Sequence, residues 1–338
     1  MKEFRVVTEL DRKKWADFVY NHPNGNIFQT PEMFEAYKNT KNWQPLFLSA
    51  VDCNDNICGL LLTVIQSEFG GFFSRCTARA IVWGGPLLNP ITQCSSTAST
   101  LLAALNDALA KKVLYIQFRN LWDLSEEKKY FINMGYIYKE HLNFMLDLSK
   151  GETQLWQGLY SSKRNKIRNA EKENVKVIMA SSGDETRASY DILKDTYQRI
   201  RLPLADKSLF DFLQEFLIPK GMLKIFLAKY SEKIIGALYL LAYKEKLYVW
   251  FAASLTNYYA KHPNDILYWE AIRWGCQNNY KIFDFGGAGS PNNVYGVREF
   301  KKEYGGQLVC YGRFEKTIQP FVAKIMKINL NLWRIFQK

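Results

Sequence analysis

Two stretches of the chain repeat one order of apolar and polar segments. The first reads as a hairpin, a helix, a strand, a short helix and a strand, with strands predicted at 46–51, 57–65, 113–118 and 141–148. The second repeats this order, with strands predicted at 223–230, 234–242, 248–252, 281–285 and 308–314. Strands that alternate with helices pack as a sheet covered by helices. The pattern therefore predicts an α/β (α+β) fold of two similar halves, each a mixed twisted sheet flanked by helices.

A polar segment at 149–153 separates the two copies and predicts domains at 1–150 and 151–316. The remaining residues, 317–338, have one apolar helical face, made of Phe321, Ile325, Ile328, Leu332 and Phe336. Four cations flank that face, so we predict an amphipathic C-terminal helix. It either packs on the core or lies on an anionic membrane surface.

Composition narrows the class of protein. With 338 residues and a formal net charge of +12, the chain favours two domains and an anionic partner: nucleic acid, phosphorylated precursors or an acidic membrane. Six scattered cysteines and three dispersed histidines predict reduced core thiols and no metal site. The N-terminus has no apolar signal core and no segment reaches the roughly 20 residues that span a bilayer. We expect a cytoplasmic protein, at most peripheral to the inner face of the membrane.

The segment 161–172 is strongly basic, with five Lys or Arg residues against Glu171. In a helix capped by Ser161 or Ser162, Arg164 and Arg168 share a face at i, i+4 spacing. Two arginines near a helix start can hold a phosphate through bidentate contacts, aided by the helix dipole. The alternative is a solvated basic face.

Two later motifs indicate a cleft. Asn264 or Asp265 is a natural cap for the helix that follows Pro263, although a well-capped amphipathic helix explains this equally. Asp284 ends a buried strand before two glycines, where α/β proteins usually open their clefts. Lys301 then faces that mouth from the next helix; the alternative is a strand-end turn beside a surface lysine pair.

These motifs occur in one order along the chain: 164–172, 263–272, 283–287 and 300–306. Together with the N-terminal segment 22–30 and the turn at 84–86, this order resembles the FemAB-like family of peptidoglycan-bridge aminoacyltransferases. The resemblance implies two tandem acyl-N-acyltransferase (GNAT-type) domains. In that fold two central parallel strands splay apart and the acyl donor lies in the opening. Several family members transfer an amino acid from aminoacyl-tRNA to an amine on a cell-wall precursor.

The resemblance also implies roles for residues. Arg164 matches an arginine that binds acceptor phosphate, Lys301 matches a lysine near the reacting ester, and Lys38 loosely matches a precursor-binding lysine. The catalytic candidates are Lys301, Asp284 and Tyr295. The substrate-binding candidates are Ser162, Arg164, Arg168, Lys38, Tyr259, His262, Asp265 and Phe300.

We therefore expect an acyl or aminoacyl transferase acting on an amine or hydroxyl of a cell-wall or capsule precursor, by direct attack in a ternary complex. Lys301 would stabilise charge on the carbonyl oxygen, and Asp284 or Asp265 would accept the proton. Two alternatives stay open. One is a CoA-dependent N- or O-acyltransferase of polysaccharide biosynthesis, and the other is a non-catalytic nucleic-acid-binding or scaffold protein.

The composition of the loop 254–265 gives a prediction about the acyl donor. Loops that cradle the pyrophosphate of coenzyme A need glycines, because the phosphates approach the backbone closely. This loop has no glycine, contains Pro263, and carries Asp265 where a phosphate would be repelled. We expect weak binding of acetyl-CoA, an aminoacyl-tRNA or another large activated acyl group as donor, and no cofactor.

Overall fold

The chain divides into two units in the computed structural model, which describes residues 4–68, 77–91, 94–320 and 322. Unit 1 contains residues 1–140 and 311–338, and unit 2 contains residues 141–310. The predicted boundaries differ from this division at both ends of unit 2. Residues 141–150 lie with the second sheet, and residues 311–316 lie with the first.

The elements follow the repeated pattern. Up to residue 140 they are β1 (Arg5–Val7), α1 (Arg12–Asn21), α2 (Pro31–Lys38), β2 (Trp43–Val51), β3 (Ile57–Gln66), β4 (Arg79–Trp83), β5 (Leu87–Leu88), α3 (Cys94–Leu109), β6 (Tyr115–Arg119), α4 (Lys128–Asn133) and β7 (Ile137–Lys139). Then follow β8 (Leu142–Asp147), α5 (Gly151–Gly158), α6 (Ser161–Lys172), β9 (Val175–Met179), α7 (Gly183–Arg199), α8 (Lys207–Phe212), β10 (Leu223–Tyr230), β11 (Lys233–Tyr243), β12 (Lys246–Ser254), α9 (Pro263–Gln277), β13 (Ile282–Gly287), α10 (Gly296–Lys302), β14 (Gln307–Cys310) and β15 (Arg313–Thr317).

Each unit is built on one mixed sheet, as predicted. In unit 1 the strand order is β1-β2-β3-β4-β6-β15-β7, with β5 paired to β3. In unit 2 the order is β14-β8-β13-β12-β11-β10-β9. The parallel neighbours are β4 with β6 and β12 with β13. The two orders correspond strand for strand, which confirms the predicted mixed sheets in both halves.

The sixth strand of each sheet comes from an unexpected part of the chain. Strand β8, predicted to close the first half, lies between β13 and β14 of unit 2. The single strand predicted at 308–314 is two strands, β14 in unit 2 and β15 between β6 and β7 of unit 1. Between them Gly312 has a φ of +69° and packs against the Tyr138 ring, where a Cβ atom would lie 2.3 Å from the ring. An apolar alternation predicts a strand but does not say which sheet receives it.

The glycine after each hairpin turn permits a close approach, as the sequence indicates. A Cβ atom on Gly236 would lie 3.0 Å from Leu267 Cδ1 of α9, and one on Gly59 would lie 2.9 Å from the Thr97 side chain. Both positions therefore bring a helix against a strand of the hairpin.

Within the described ranges, none of the helices has the length and apolarity needed to cross a bilayer. Within those ranges, no three His, Cys, Asp or Glu side chains are grouped to hold a metal ion. The predicted tail helix, with Phe321, Ile325, Ile328, Leu332 and Phe336, falls outside the described residues.

Candidate active site

The parallel strands of unit 2 separate after a short pairing. Lys246–Tyr248 of β12 pair with Ile282–Asp284 of β13. Beyond that point β12 continues to Ser254, whereas the pairing of β13 with β8 is irregular between Asp284 and Gly287, and Gly286 has a φ of +72°. The two parallel strands are therefore unpaired at their carboxyl ends, where α/β sheets bind their ligands, which makes this end the candidate opening.

Helices cover the sheet of unit 2 on both faces. Ser189 Oγ of α7 lies 2.5 Å from the Tyr239 hydroxyl of β11, while Leu267 of α9 packs on Gly236 of the same strand. Side chains at even and odd positions of a strand point to opposite faces, so α7 and α9 lie on opposite sides. The unpaired ends of β12 and β13 therefore belong to a sheet that α7 covers on one face and α9 on the other.

Lys301 of α10 is tied to the end of β13. Its ammonium donates hydrogen bonds to the carbonyl oxygens of Phe285 at 2.5 Å, Gly286 at 3.1 Å and Gly287 at 2.8 Å. Burial lowers its pKa to about 8, against the attraction of Asp284. A lysine ammonium has three N–H donors, and all three have carbonyl partners here. The residue therefore shapes the strand end as well as placing a positive charge there.

Asp284 is buried at the third position of β13, so it does not end the strand as predicted but is the last residue that pairs with β12. Burial raises its pKa to about 6, while the Gly286 N–H, 2.7 Å from Oδ1, and the Lys301 charge act in the opposite direction. A carboxyl group that titrates near neutral pH is suited to accept and return a proton. Asp284 and Lys301 thus form a coupled acid–base pair beside the opening.

The loop after β13 is organised by Arg298, a residue that sequence reasoning missed. Its guanidinium donates to the carbonyl oxygens of Ala288 at 3.0 Å, Pro291 at 3.3 Å and Asn293 at 2.8 Å, and also to that of Ser290. Tyr295 is partly exposed and packs against Gly289 in this loop. Charge patterning does not reveal carbonyl partners, so the sequence carried no signal for Arg298.

Lys163 is the second residue that the sequence did not single out. It is fully buried, with its ammonium 2.6 Å from Asp265 Oδ1 and 3.1 Å from Glu303 Oε2. The same ammonium lies 3.8 Å from the centroid of the Phe300 ring, a cation–π contact. One signal was available: Lys163 lies four residues before buried Ile167, so it lies on the buried face of α6.

The two arginines of the phosphate site predicted on α6 contact other residues of the protein. Arg164 Nη1 donates to the carbonyl oxygens of Gln157, at 3.1 Å, and of Leu159, which close the end of α5. The Arg168 guanidinium lies 5.5 Å from the Trp156 ring centroid. Arg164 is therefore held by the end of α5, whereas Arg168 is exposed and fits a solvated basic face.

The predicted caps of α6 and α9 are corrected. Tyr160 caps α6, and Ser162, predicted with Ser161 as a cap, lies inside the helix and donates to Glu303 at 3.1 Å. Helix α9 begins at Pro263 after His262, whose φ of +53° is left-handed, and neither Asn264 nor Asp265 is its cap. Helix α6 starts one or two residues earlier than the capping preferences indicate, and α9 two or three residues earlier.

Asp265 does not face the donor loop as an isolated charge. Its carboxylate accepts from Lys163 and lies 3.8 Å from His262 Nδ1. The predicted repulsion of a phosphate is therefore offset by a buried cation. In the loop itself, the hydroxyl of Tyr259 accepts a hydrogen bond from Arg199 at 2.6 Å. The loop 254–265 still has no glycine that could admit a pyrophosphate close to the backbone.

Unit 2 therefore brings together two groups of predicted residues. Lys301 and Asp284 meet at the strand end, and Asp265, Phe300 and Ser162 meet around Lys163 and Glu303. Lys38 belongs to unit 1, at the end of α2.

Comparisons with known proteins bear on this arrangement. Residues 160–302, within unit 2, match the family described as acetyltransferase (GNAT) domain. No curated protein sequence matches the chain. A crystal structure of FemX shares the fold with a TM-score of 0.69 at 16% identity, covering 95% of this chain and 99% of that one.

Two further structures have the same fold. The structure of L-PGS from Bacillus licheniformis has a TM-score of 0.58 at 16% identity and covers 94% of this chain and 95% of its own. A tandem GNAT protein from the clavulanic acid biosynthesis pathway has a TM-score of 0.60 at 8% identity, covering 94% and 99%. The chain thus has a tandem GNAT fold, and residues 160–302 of its second unit match a GNAT acetyltransferase domain.

Proposed function

We propose that unit 2 transfers an activated acyl or aminoacyl group to an amine, or a hydroxyl, of a cell-envelope precursor by direct attack in a ternary complex. The observation that carries this proposal is the separation of β12 from β13 inside the region that matches the acetyltransferase domain. FemX and L-PGS, which share the fold, support the cell envelope as the place of the acceptor.

The chemistry at the opening suits acyl transfer. The acceptor nitrogen attacks the carbonyl carbon, and negative charge develops on the carbonyl oxygen. Lys301 places a positive charge at the end of β13, and Asp284, with a pKa of about 6, accepts the proton that the amine loses. Holding both substrates together supplies proximity, so a covalent enzyme intermediate is not required.

For the acceptor we propose binding through phosphate. A guanidinium has five N–H donors, and the two carbonyl contacts of Arg164 both use Nη1, which leaves Nη2 and Nε. Ser162 and Arg168 on α6 and Lys38 in unit 1 remain the other candidates. Arg164→Ala is therefore expected to raise the KM for a phosphorylated precursor more than it lowers kcat.

For the donor we propose an aminoacyl-tRNA or another large activated acyl group, since the loop 254–265 has no glycine to admit a pyrophosphate. Two observations favour the second candidate, a CoA-dependent N- or O-acyltransferase. One is the match to an acetyltransferase domain, and the other is the neutralisation of Asp265 by Lys163. Neither reaction needs a metal or a resident cofactor.

Calorimetry and a transfer assay separate the two donors. Acetyl-CoA is titrated into the full chain, and transfer from acetyl-CoA and from tRNAs charged with radiolabelled amino acids is measured with nucleotide-linked cell-wall precursors. We expect no saturable binding of acetyl-CoA and label transfer from at least one charged tRNA. Micromolar one-site binding of acetyl-CoA would replace tRNA with coenzyme A as the carrier. A wild-type chain that transfers nothing from any donor would contradict the proposal.

A further inference from the structure

The ring of Tyr268, on α9, lies among aromatic side chains at the end of β13. Its plane is within 9° of the Phe285 ring plane at a centroid distance of 5.8 Å, and the Phe300 and Tyr304 rings lie at 5.2 and 5.8 Å. Only 6% of the residue is exposed. These contacts involve the ring alone, and a phenylalanine would satisfy them equally.

The Tyr268 hydroxyl is unpaired. Within the described part of the chain, no group forms a hydrogen bond with it. The oxygen is also not closed off from solvent, since it is not among the side-chain atoms of that part that lack both accessible surface and a hydrogen-bond partner. Buried tyrosine hydroxyls usually have a partner, because leaving one unpaired is unfavourable. This hydroxyl therefore reaches space that a ligand can enter.

That space is the opening between β12 and β13. The Tyr268 ring stacks on Phe285, the residue of β13 that directly follows the last pair of the two strands, Tyr248 and Asp284. From α7, on the opposite face of the sheet, the Tyr197 ring packs 6.2 Å from the Phe251 ring of β12, beyond the same pair. Burial raises the pKa of Tyr268, and electrostatic interaction with Tyr197 and Tyr295 acts in the same direction. At neutral pH the Tyr268 hydroxyl keeps its proton and acts as a hydrogen-bond donor.

Lys301 does not supply a free donor at this place. Its ammonium uses its three N–H groups on the carbonyl oxygens of residues 285, 286 and 287. A carbonyl oxygen of a bound acyl group needs a donor that is protonated, buried and unpaired. Among the three neighbouring tyrosines, Tyr268 is the most buried.

We propose that the Tyr268 hydroxyl is a catalytic group that donates a hydrogen bond to the carbonyl oxygen of the acyl group held between β12 and β13. This inference rests on the proposed acyl transfer. The acceptor nitrogen forms a bond to the carbonyl carbon, and the carbonyl electron pair moves to the oxygen, which Tyr268 stabilises without giving up its proton. When the pair returns, the bond to the donor's leaving oxygen or sulfur breaks, and that atom takes the proton that the amine lost.

The test compares two tyrosine-to-phenylalanine variants of the full chain. Tyr268→Phe removes an unpaired hydroxyl, so its Tm is expected to equal or exceed that of the wild type. Its kcat is expected to fall by a factor of about 10²–10³, with little change in KM, as for the loss of one oxyanion donor. Tyr239→Phe is the matched control, because its buried hydroxyl is bonded to Ser189. That variant is expected to lose thermal stability and keep kcat.

The outcomes separate this inference from the proposed function. The probes are acetyl-CoA and tRNAs charged with alanine, glycine, serine and lysine, with label transfer as the readout. Transfer by the wild type and an unchanged kcat in Tyr268→Phe would overturn the role of Tyr268 and leave the proposed function standing. A fall of both Tm and kcat in both variants would also overturn it, since the effect would be structural. No transfer by the wild type would overturn the proposed function itself.

Discussion

The two units share a strand order but treat their central parallel strands differently. In unit 1, β4 and β6 pair over Arg79–Trp83 and Tyr115–Arg119, and the Gly84 N–H continues the pairing to the Arg119 carbonyl at 3.0 Å. In unit 2, β12 and β13 pair over three residues each and then separate. The same topology thus yields one closed and one open parallel pair.

The gap in the sheet of unit 1 lies elsewhere and is filled. Strand β4 pairs with β3 only over Val64–Gln66 and Arg79–Ile81. The fully buried Gln29 side chain bridges the rest, donating to Leu62 O at 3.1 Å and Trp83 O at 2.7 Å and accepting from Leu62 N at 2.7 Å. A side chain thus fills the gap between β3 and β4, while β4 and β6 stay paired along their length. This difference between the units supports unit 2 as the unit proposed to carry the chemistry.

The two units also differ in the charge of the residue at one equivalent position of the sheet. At the third position of β6, Gln117 bonds to Glu315 of β15 at 3.1 Å, whereas the third position of β13 holds Asp284 with its raised pKa. Unit 1 has a neutral, paired amide where unit 2 has an ionisable carboxyl group. The shared sheet topology therefore does not by itself supply an ionisable group. That depends on which residue occupies the third position of the strand.

The largest expected effect concerns the buried ion pairs that Lys163 forms with Asp265 and Glu303 in unit 2. Lys163→Ala removes the cation shared by Asp265 and Glu303 and leaves two carboxylates without it. The free energy of unfolding of unit 2 is expected to fall by about 3–5 kcal/mol. Chemical denaturation measures it, with exposed Lys172→Ala as the control within about 0.5 kcal/mol of wild type. Equal stability of the two variants would contradict the buried role.

Next in size is the loss of Lys301. Lys301→Ala removes both the charge at the strand end and the three carbonyl contacts, so transfer is expected to slow by a factor of about 10²–10³. Steady-state kinetics measures this, and Lys302→Ala, an exposed neighbour, is the control. Wild-type turnover in Lys301→Ala would remove this residue from the mechanism.

A smaller effect tests the closed unit. Gln29→Leu leaves the Leu62 amide group and the Trp83 carbonyl without the bonds that the side chain supplies. The free energy of unfolding is expected to fall by about 1–3 kcal/mol. The kcat of the folded protein should stay at the wild-type value, because unit 1 is sealed. A selective loss of kcat would show that the gap in unit 1 takes part in the reaction.

The smallest effect is the pH profile of transfer. Asp284 must lose its proton to act as a base, so the rate should rise as the pH passes about 6. Lys301 loses its charge above about 8, so the rate should then fall. Each limb is expected to change the rate by about tenfold per pH unit. In Asp284→Asn the lower limb should disappear; a lower limb that persists would assign the base to another group.

Much of the site's location could be predicted from local pattern. The strand that contains Asp284, the glycines after it and the helix that carries Lys301 could be predicted, because apolar runs and Gly-Gly turns depend on near neighbours in the chain. The hydrogen-bond and ion-pair partners of residues in the site could not be predicted from the sequence. Lys163 and Arg164 belong to one basic run, yet one is buried beside two carboxylates and the other caps a helix end.

The sequence by itself determined the two repeated halves, since the period of apolar positions and the turn residues act over a few neighbours along the chain. Only the tertiary structure decided that β8 and β15 exchange sheets, that Gln29 closes one gap, and that Tyr268 keeps an unpaired hydroxyl beside the other. Each of these depends on groups far apart in the chain. Their pairing follows from backbone hydrogen bonds and burial that no local pattern encodes.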